Sequence, residues 1–139
     1  MATEIATDKH LHLTVITPAR AVLDTDAHGV VAPAFDGEVG VLPGHAAMLA
    51  LLGTGELRVN GMDGKVRHLA IRGGFLQVNH NRVTVLTPES ISAEEIKLDE
   101  VNAELQKLSA QPHLKPEEMA AFETQKAWLK LKEKVASKK

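Results

Sequence analysis

The chain has 139 residues, enough for one domain with an appendage, and 44% of them are hydrophobic and 24% charged, the balance of a globular protein with a real core. A net charge of −2 gives no basic signature for nucleic acid, and a 3% aromatic content without Tyr argues against stacking on bases or sugars. Cys is absent, which excludes disulfide and thiol chemistry; the polar stretch from Met1 to His10 lacks the apolar region of a signal peptide, and no apolar run is long enough to span a membrane.

Taken in order, the first part of the chain reads as β structure. Leu11, Leu13 and Val15 alternate with His12, Thr14 and Ile16 at period two, and Thr17-Pro18 ends the run. Ala21–Leu23 and Gly29–Ala32 are short strands, with Pro33 marking an edge or a bulge. Asp36-Gly37 and Pro43-Gly44 are turns flanking the apolar run Val39–Leu42, which places Glu38 and His45 on exposed loops of a rigid scaffold. Ala46–Leu52 follows, Gly53-Thr54-Gly55 turns the chain, and Glu56–Val59 runs into the hairpin signal Asn60-Gly61-Met62-Asp63-Gly64. Val66–Ile71 returns, Gly73-Gly74 reads as a mid-sheet bulge, and Asn79-His80-Asn81 turns Phe75–Val78 into Arg82–Leu86. The expected fold is α+β: an antiparallel β-sandwich, a flattened barrel of about ten short strands, over residues 1–88, followed by an antiparallel two-helix hairpin over 89–139.

The change of character falls at Pro88. All ten glycines precede it, and charge is dense after it. Ser92–Glu95 is a capping-box pattern with Asp99 as a competing helix start, and Leu98, Val101, Leu105 and Leu108 share one helical face. Gln111-Pro112-His113 breaks that helix, and Pro116-Glu117-Glu118 opens a second one carrying Met119, Phe122, Trp128, Leu129, Leu131 and Val135. Glu89–Glu104 holds six acids and one Lys, while Lys126–Lys139 holds six Lys and one Glu, so an antiparallel hairpin sets acidic and basic ends face to face. Such exposed pairs are weak and short helices are marginal alone, so the hairpin depends on docking.

No catalytic constellation emerges. The four Ser lie after Pro88 and outside any nucleophile elbow, and turn chemistry accounts for Asp36 beside Glu38. The seven His show no ligand spacing, and Gly73-Gly74 lacks the features of a phosphate loop, so neither a metal nor a catalytic residue is expected. The lysine-rich end is a solvated helix face, a surface for an acidic partner, or a basic helix at a membrane. From residues alone, the chain is an interaction or regulatory protein, with a free-standing β-sandwich binding module for a protein or ligand left open.

The motifs narrow this. Gly37-Glu38-x-Gly40-x-x-Pro43-Gly44-His45, Gly53-Thr54-Gly55-Glu56-Leu57-Arg58-Val59, Ile71-Arg72-Gly73-Gly74-Phe75-Leu76-x-Val78 and Asn81-x-Val83-Thr84-Val85-Leu86 resemble the epsilon subunit of bacterial F-type ATP synthase, as does Leu98-Asp99-x-x-Asn102-Ala103 in the helical part. The resemblance implies a non-catalytic central-stalk subunit, peripheral on the cytoplasmic face of the inner membrane, bound to the gamma subunit, the c-ring and the alpha/beta catalytic head. It implies that Glu38 and His45 meet gamma and the c-ring. It implies that the hairpin inhibits ATP hydrolysis when extended, with Lys126, Lys130, Lys132 and Lys134 meeting the beta subunits. Some members bind ATP at Leu98, Asp99, Ala103 and an intervening Arg; here Asn102 replaces that Arg and cannot offer a guanidinium to phosphate, so no cofactor is expected and ATP binding is weak or absent.

Overall fold

A computed structural model describes residues 10–111 and 115–138. The polar N-terminal stretch before His10, and Pro112 and His113 of the expected helix break, lie outside these. Seven strands are formed: β1 Leu11–Ile16, β2 Ala21–Ala34, β3 Gly37–Val41, β4 Met48–Gly61, β5 Val66–Asn79, β6 Arg82–Leu86 and β7 Ser90–Ser92. Two helices follow a single 3-10 turn, α1 Leu98–Ser109 and α2 Pro116–Ala136.

The sheet runs β1-β6-β5-β4-β2-β3, and β1 also pairs with β2, so five strands close into a flattened barrel with β3 and β7 attached at its rim. Only β1–β6 is parallel among the described pairings. Alternation places Leu11, Leu13 and Val15 inside with Val83 and Val85 beside them. The resulting aliphatic core gathers Val30, Val41, Leu52, Leu57, Val59, Leu69, Ile71, Leu76 and Val78 as well. On the outer face of β1–β2, His12 bridges two carboxylates, with Nδ1 2.8 Å from Asp26 and Nε2 2.5 Å from Asp24. Its hydrogen bond to Asp26, above all, raises the imidazole pKa.

The expected ten short strands are seven because three of them are long. Gly53-Thr54-Gly55 does not turn the chain, and β4 and β5 each run for 14 residues. Their register holds from Met48↔Val78 to Asn60↔Val66, so Gly73-Gly74 is a bend and not an inserted bulge. Gly73 (φ 77°) and Gly74 (φ 108°) occupy backbone space that L side chains avoid. The bend reverses which side chains face the core. Leu52 and Leu76 point inward on one side of it; Leu57, Val59, Leu69 and Ile71 do so on the other, with the alternation shifted by one residue. At the same point β5 leaves β6 and takes β7 as its neighbour. The two hairpin signals form as expected. Gly61 N–H donates to Lys65 O at 2.8 Å, and His80 (φ 50°) with Asn81 (φ 62°) makes the tight turn between β5 and β6.

The capping box opens only the 3-10 turn Ala93–Glu95, where Ser92 Oγ reaches Glu95 Oε1 at 3.3 Å; α1 starts five residues later at Leu98. The hairpin docks against β5 and forms a second, smaller core. Trp128, Leu129, Val135 and Ala136 of α2 and Val101 of α1 close over Ala70, Ala93 and Ile96. The acidic and basic helix ends do not pair with each other. Glu95 takes Arg20 at 2.7 Å, and among the described residues no ion pair joins α1 to α2.

A Cβ at Gly74 would overlap the Leu86 carbonyl oxygen and meet the Thr87 backbone. Gly74→Ala is therefore expected to destabilise the fold by about 2–4 kcal/mol, read as the shift in urea midpoint, through both the clash and the strained φ.

Candidate docking face and hairpin latch

The bend leaves two outward faces on β4 and β5, and they differ in chemistry. On the side toward Met48 and Val78, Leu51 pairs with Phe75 and Phe75 with Leu86, one row across three strands. Phe35, in the β2–β3 turn, donates its N–H to Leu51 O at 2.8 Å and extends the row past the end of β2. These side chains are wet: Phe35 is 77% exposed, Leu51 51%, Phe75 49% and Leu86 50%. Leu49, two residues from Leu51 on the same face, is 70% exposed, and a shallow groove floored by Ile16, Pro18 and Pro88 continues the band beyond Leu86. Two of the three phenylalanines of the chain stand here. A contiguous apolar band of this kind marks a surface built to be covered.

Glu38 and His45 are not brought together. Glu38 stands within β3 and not on the expected loop, whereas His45 lies in the loop between β3 and β4. Glu38 is exposed on the strand, where Arg58 of β4 reaches across β2 and grips both its oxygens at 3.1 and 3.3 Å. His45 is half-buried, its Nδ1 2.7 Å from Ala46 O. The preceding Gly44 N–H donates to Asn81 Oδ1 at 2.7 Å, which ties this loop to the β5–β6 turn.

On the other side of the bend the outward face is covered. Glu56 beside Ala70 is buried, unusual for a carboxylate. Lys138, just past α2, brings Nζ to 3.2 and 3.1 Å from its two oxygens; His68 Nδ1 lies at 3.4 Å and Arg58 Nη1 at 3.5 Å. Burial pushes the Glu56 carboxyl up, but the hydrogen bond and charge of Lys138, with His68 and Arg58, outweigh it and hold the pKa below the usual value. Trp128, the single Trp, is 2% exposed, with the Arg72 guanidinium 5.6 Å and the Lys132 ammonium 5.8 Å from its ring.

The hairpin candidates divide. Lys126 lies over the Phe122 ring at 5.9 Å and Lys132 over Trp128, while Lys130 and Lys134 are exposed. Leu98, Asp99, Asn102 and Ala103 are all exposed at the start of α1, in a neighbourhood that includes Glu94, Glu95 and Glu100. Among the described residues no group of three or more His, Asp or Glu is placed to hold a metal ion, and no helix is long and apolar enough to cross a membrane.

The family model of the ATP synthase delta/epsilon chain β-sandwich domain matches residues 10–93. The chain belongs to this family. It is 42% identical over 92 residues to the ATP synthase epsilon chain of Nitratidesulfovibrio vulgaris (strain DP4), covering 66% of this chain and 68% of that one. It is 40% identical over 96 residues to that of Pelotomaculum thermopropionicum, covering 69% and 71%. The fold superposes on a chain of the Euglena gracilis mitochondrial ATP synthase, solved as OSCP/F1/c-ring, with a TM-score of 0.72 at 26% identity over 93% of this chain and 81% of that one. A chain of the Tetrahymena thermophila central stalk/c-ring structure shares the fold at a TM-score of 0.60 and 18% identity, covering 91% and 96%. The family match ends at Ala93, so the hairpin of this epsilon-family chain is described by its own geometry.

Neither the apolar band nor Glu56 was singled out from sequence. The available signal for the band was Met48–Leu52, apolar at every position: a strand with two apolar faces needs a cover on each. For Glu56, a depressed carboxyl contributes stability above its unfolded pKa and loses it as pH falls through the folded value. Acidification below about pH 4 is thus expected to loosen the docked hairpin, read as a red shift of Trp128 emission, and Glu56→Gln to show the shifted emission already at neutral pH with little further change on acidification.

Proposed function

We propose that the chain is a non-catalytic rotor subunit of a proton-translocating ATP synthase, peripheral at the cytoplasmic face of the inner membrane. Its sandwich docks against the gamma subunit and the c-ring, and its hairpin restrains ATP hydrolysis by the alpha/beta head when it leaves β5. The observation that carries the docking part is the uncovered apolar band Phe35–Leu51–Phe75–Leu86 on a sandwich that matches the family throughout. The Euglena relative is held in an assembly with F1 and a c-ring, which supplies the partners this reading assigns. Glu38 on β3 and His45 in the loop that follows it are the polar contacts this reading assigns.

A rotor element has to transmit torque, and a closed aliphatic barrel tied by long continuous strands is stiff enough to do so. The regulatory part rests on the second core. One face of α2 is spent on β5, so Lys130 and Lys134 are free in the docked form while Lys132 covers Trp128. Lys126 and Lys132 stack on rings of α2 itself, so undocking would carry all four lysines together on one helix to an acidic surface of the beta subunits.

Two measurements check this. Leu51→Asp with Phe75→Asp replaces exposed side chains, so the sandwich is expected to keep its stability within about 1 kcal/mol while co-purification with gamma and the catalytic head is lost. Retained co-purification would remove the docking role from the band. Truncation after Lys97 keeps β7 and deletes both helices; ATP hydrolysis by the whole complex is then expected to rise several-fold, and an unchanged rate would end the brake reading while leaving the docking role standing.

A further inference from the structure

We propose that Glu38, Arg58, Glu56 and Lys138 form a charge relay through which a cationic partner group taking up Glu38 loosens the docked hairpin. The partner half of this rests on the docking reading above; the intramolecular half does not.

Four charges alternate along the outer face, from the rim of the docking side to the end of α2. Glu38 holds Arg58 at 3.1 and 3.3 Å, Arg58 reaches Glu56 at 3.5 Å, and Glu56 holds Lys138 at 3.1 and 3.2 Å. His68 of β5 is the other titratable group against Glu56, at 3.4 Å. Arg58 and Glu56 sit two residues apart on β4 and so share a face, and Arg58 stands directly opposite His68 in the β4–β5 register. Lys138 therefore faces a group of three charges, two carboxylates and one guanidinium, with a net charge of one negative. Neutralising Glu38 leaves Arg58 and Glu56 alone, with no net charge, and the attraction on Lys138 falls. The freed guanidinium also has Glu56 as its nearest remaining carboxylate partner. Closing from 3.5 Å, it competes with Lys138 for the same two oxygens, which Arg binds through a planar fork that Lys cannot match. Glu56 is buried, so solvent screens this exchange less than it would at the open surface.

The consequence is directional. A lysine or arginine of a partner that pairs with Glu38 weakens the Lys138 catch, although the two ends are separated by β2 and β4. The relay thus gives the sandwich a way to report its partner contact to the hairpin without a change of fold.

The test uses the full chain and needs no partner. Amide hydrogen exchange of α2, together with Trp128 emission, is followed in wild type, E38Q, R58Q, K138Q and the E38Q/R58Q and E38Q/K138Q pairs. E38Q is expected to speed α2 exchange roughly two- to fivefold, with exchange in the barrel core unchanged, and to have no further effect in either the R58Q or the K138Q background. Glu38 is exposed and its change leaves the cores intact, so a folded protein is expected. Unchanged α2 exchange in E38Q, or an equal effect with and without Arg58, overturns the relay. Neither result bears on whether the apolar band holds gamma, which co-purification reads separately.

Discussion

The bend at Gly53–Gly55 and Gly73–Gly74 is the constraint on which the rest depends. It shifts the inward set of β4 and β5 by one residue while leaving their pairing intact. Without it, a straight pair of 14-residue strands would present one continuous outer face. With it, Leu51 and Phe75 face out on one side, and Glu56 and Ala70 on the other. The hairpin covers the second face with an indole and four aliphatic side chains. No described segment of the chain covers the first. One backbone device therefore divides the surface into a face for the protein's own helices and a face for something else.

The two faces are held by forces of different size. The barrel closes on itself over an aliphatic core, so its strands carry few unpaired edges. The hairpin has less. A helix of 12 residues is marginal alone, and α1 contributes one fully buried side chain, Val101. Burial of Trp128, Leu129 and Val135 supplies most of the docking, at about 1.5–3 kcal/mol for a fully buried large side chain. Against this stands the desolvation of Glu56, offset by Lys138, His68 and Arg58. The sum is a docked state that a competing surface can displace, which suits a regulatory element better than a second rigid domain would.

Much of this was legible in the sequence. Asn60–Gly64 and Asn79–Asn81 carry turn chemistry strong enough to fix their hairpins, and the spacing of Val101, Leu105 and Leu108 gives the packed face of α1, although Leu98, expected on that face, is exposed. The motif from Gly37 to His45 pointed to the family that the match over residues 10–93 establishes. What was hidden was hidden for physical reasons. Paired glycines are local turn signals, and only the ladder between β4 and β5 keeps them within strands. Met48–Leu52 is apolar at every position, so alternation carries no phase there. Glu56, between Gly55 and Leu57, reads as a surface residue until Lys138 arrives from 82 residues away. The acidic and basic helix ends looked complementary, yet Arg20 and Glu56, both on the sandwich, take Glu95 and Lys138.

The two outward faces have different occupants, one internal and one external. Side-chain oxidation by hydroxyl radicals reads this most directly, in the free chain and in the assembled ATP synthase. Phe35, Leu49, Leu51, Phe75 and Leu86 are expected to be reactive in the free chain and protected on assembly, while Trp128 is already protected in the free chain. Equal reactivity of Phe35 and Phe75 in the two states, or a freely reactive Trp128 in the isolated chain, would contradict it.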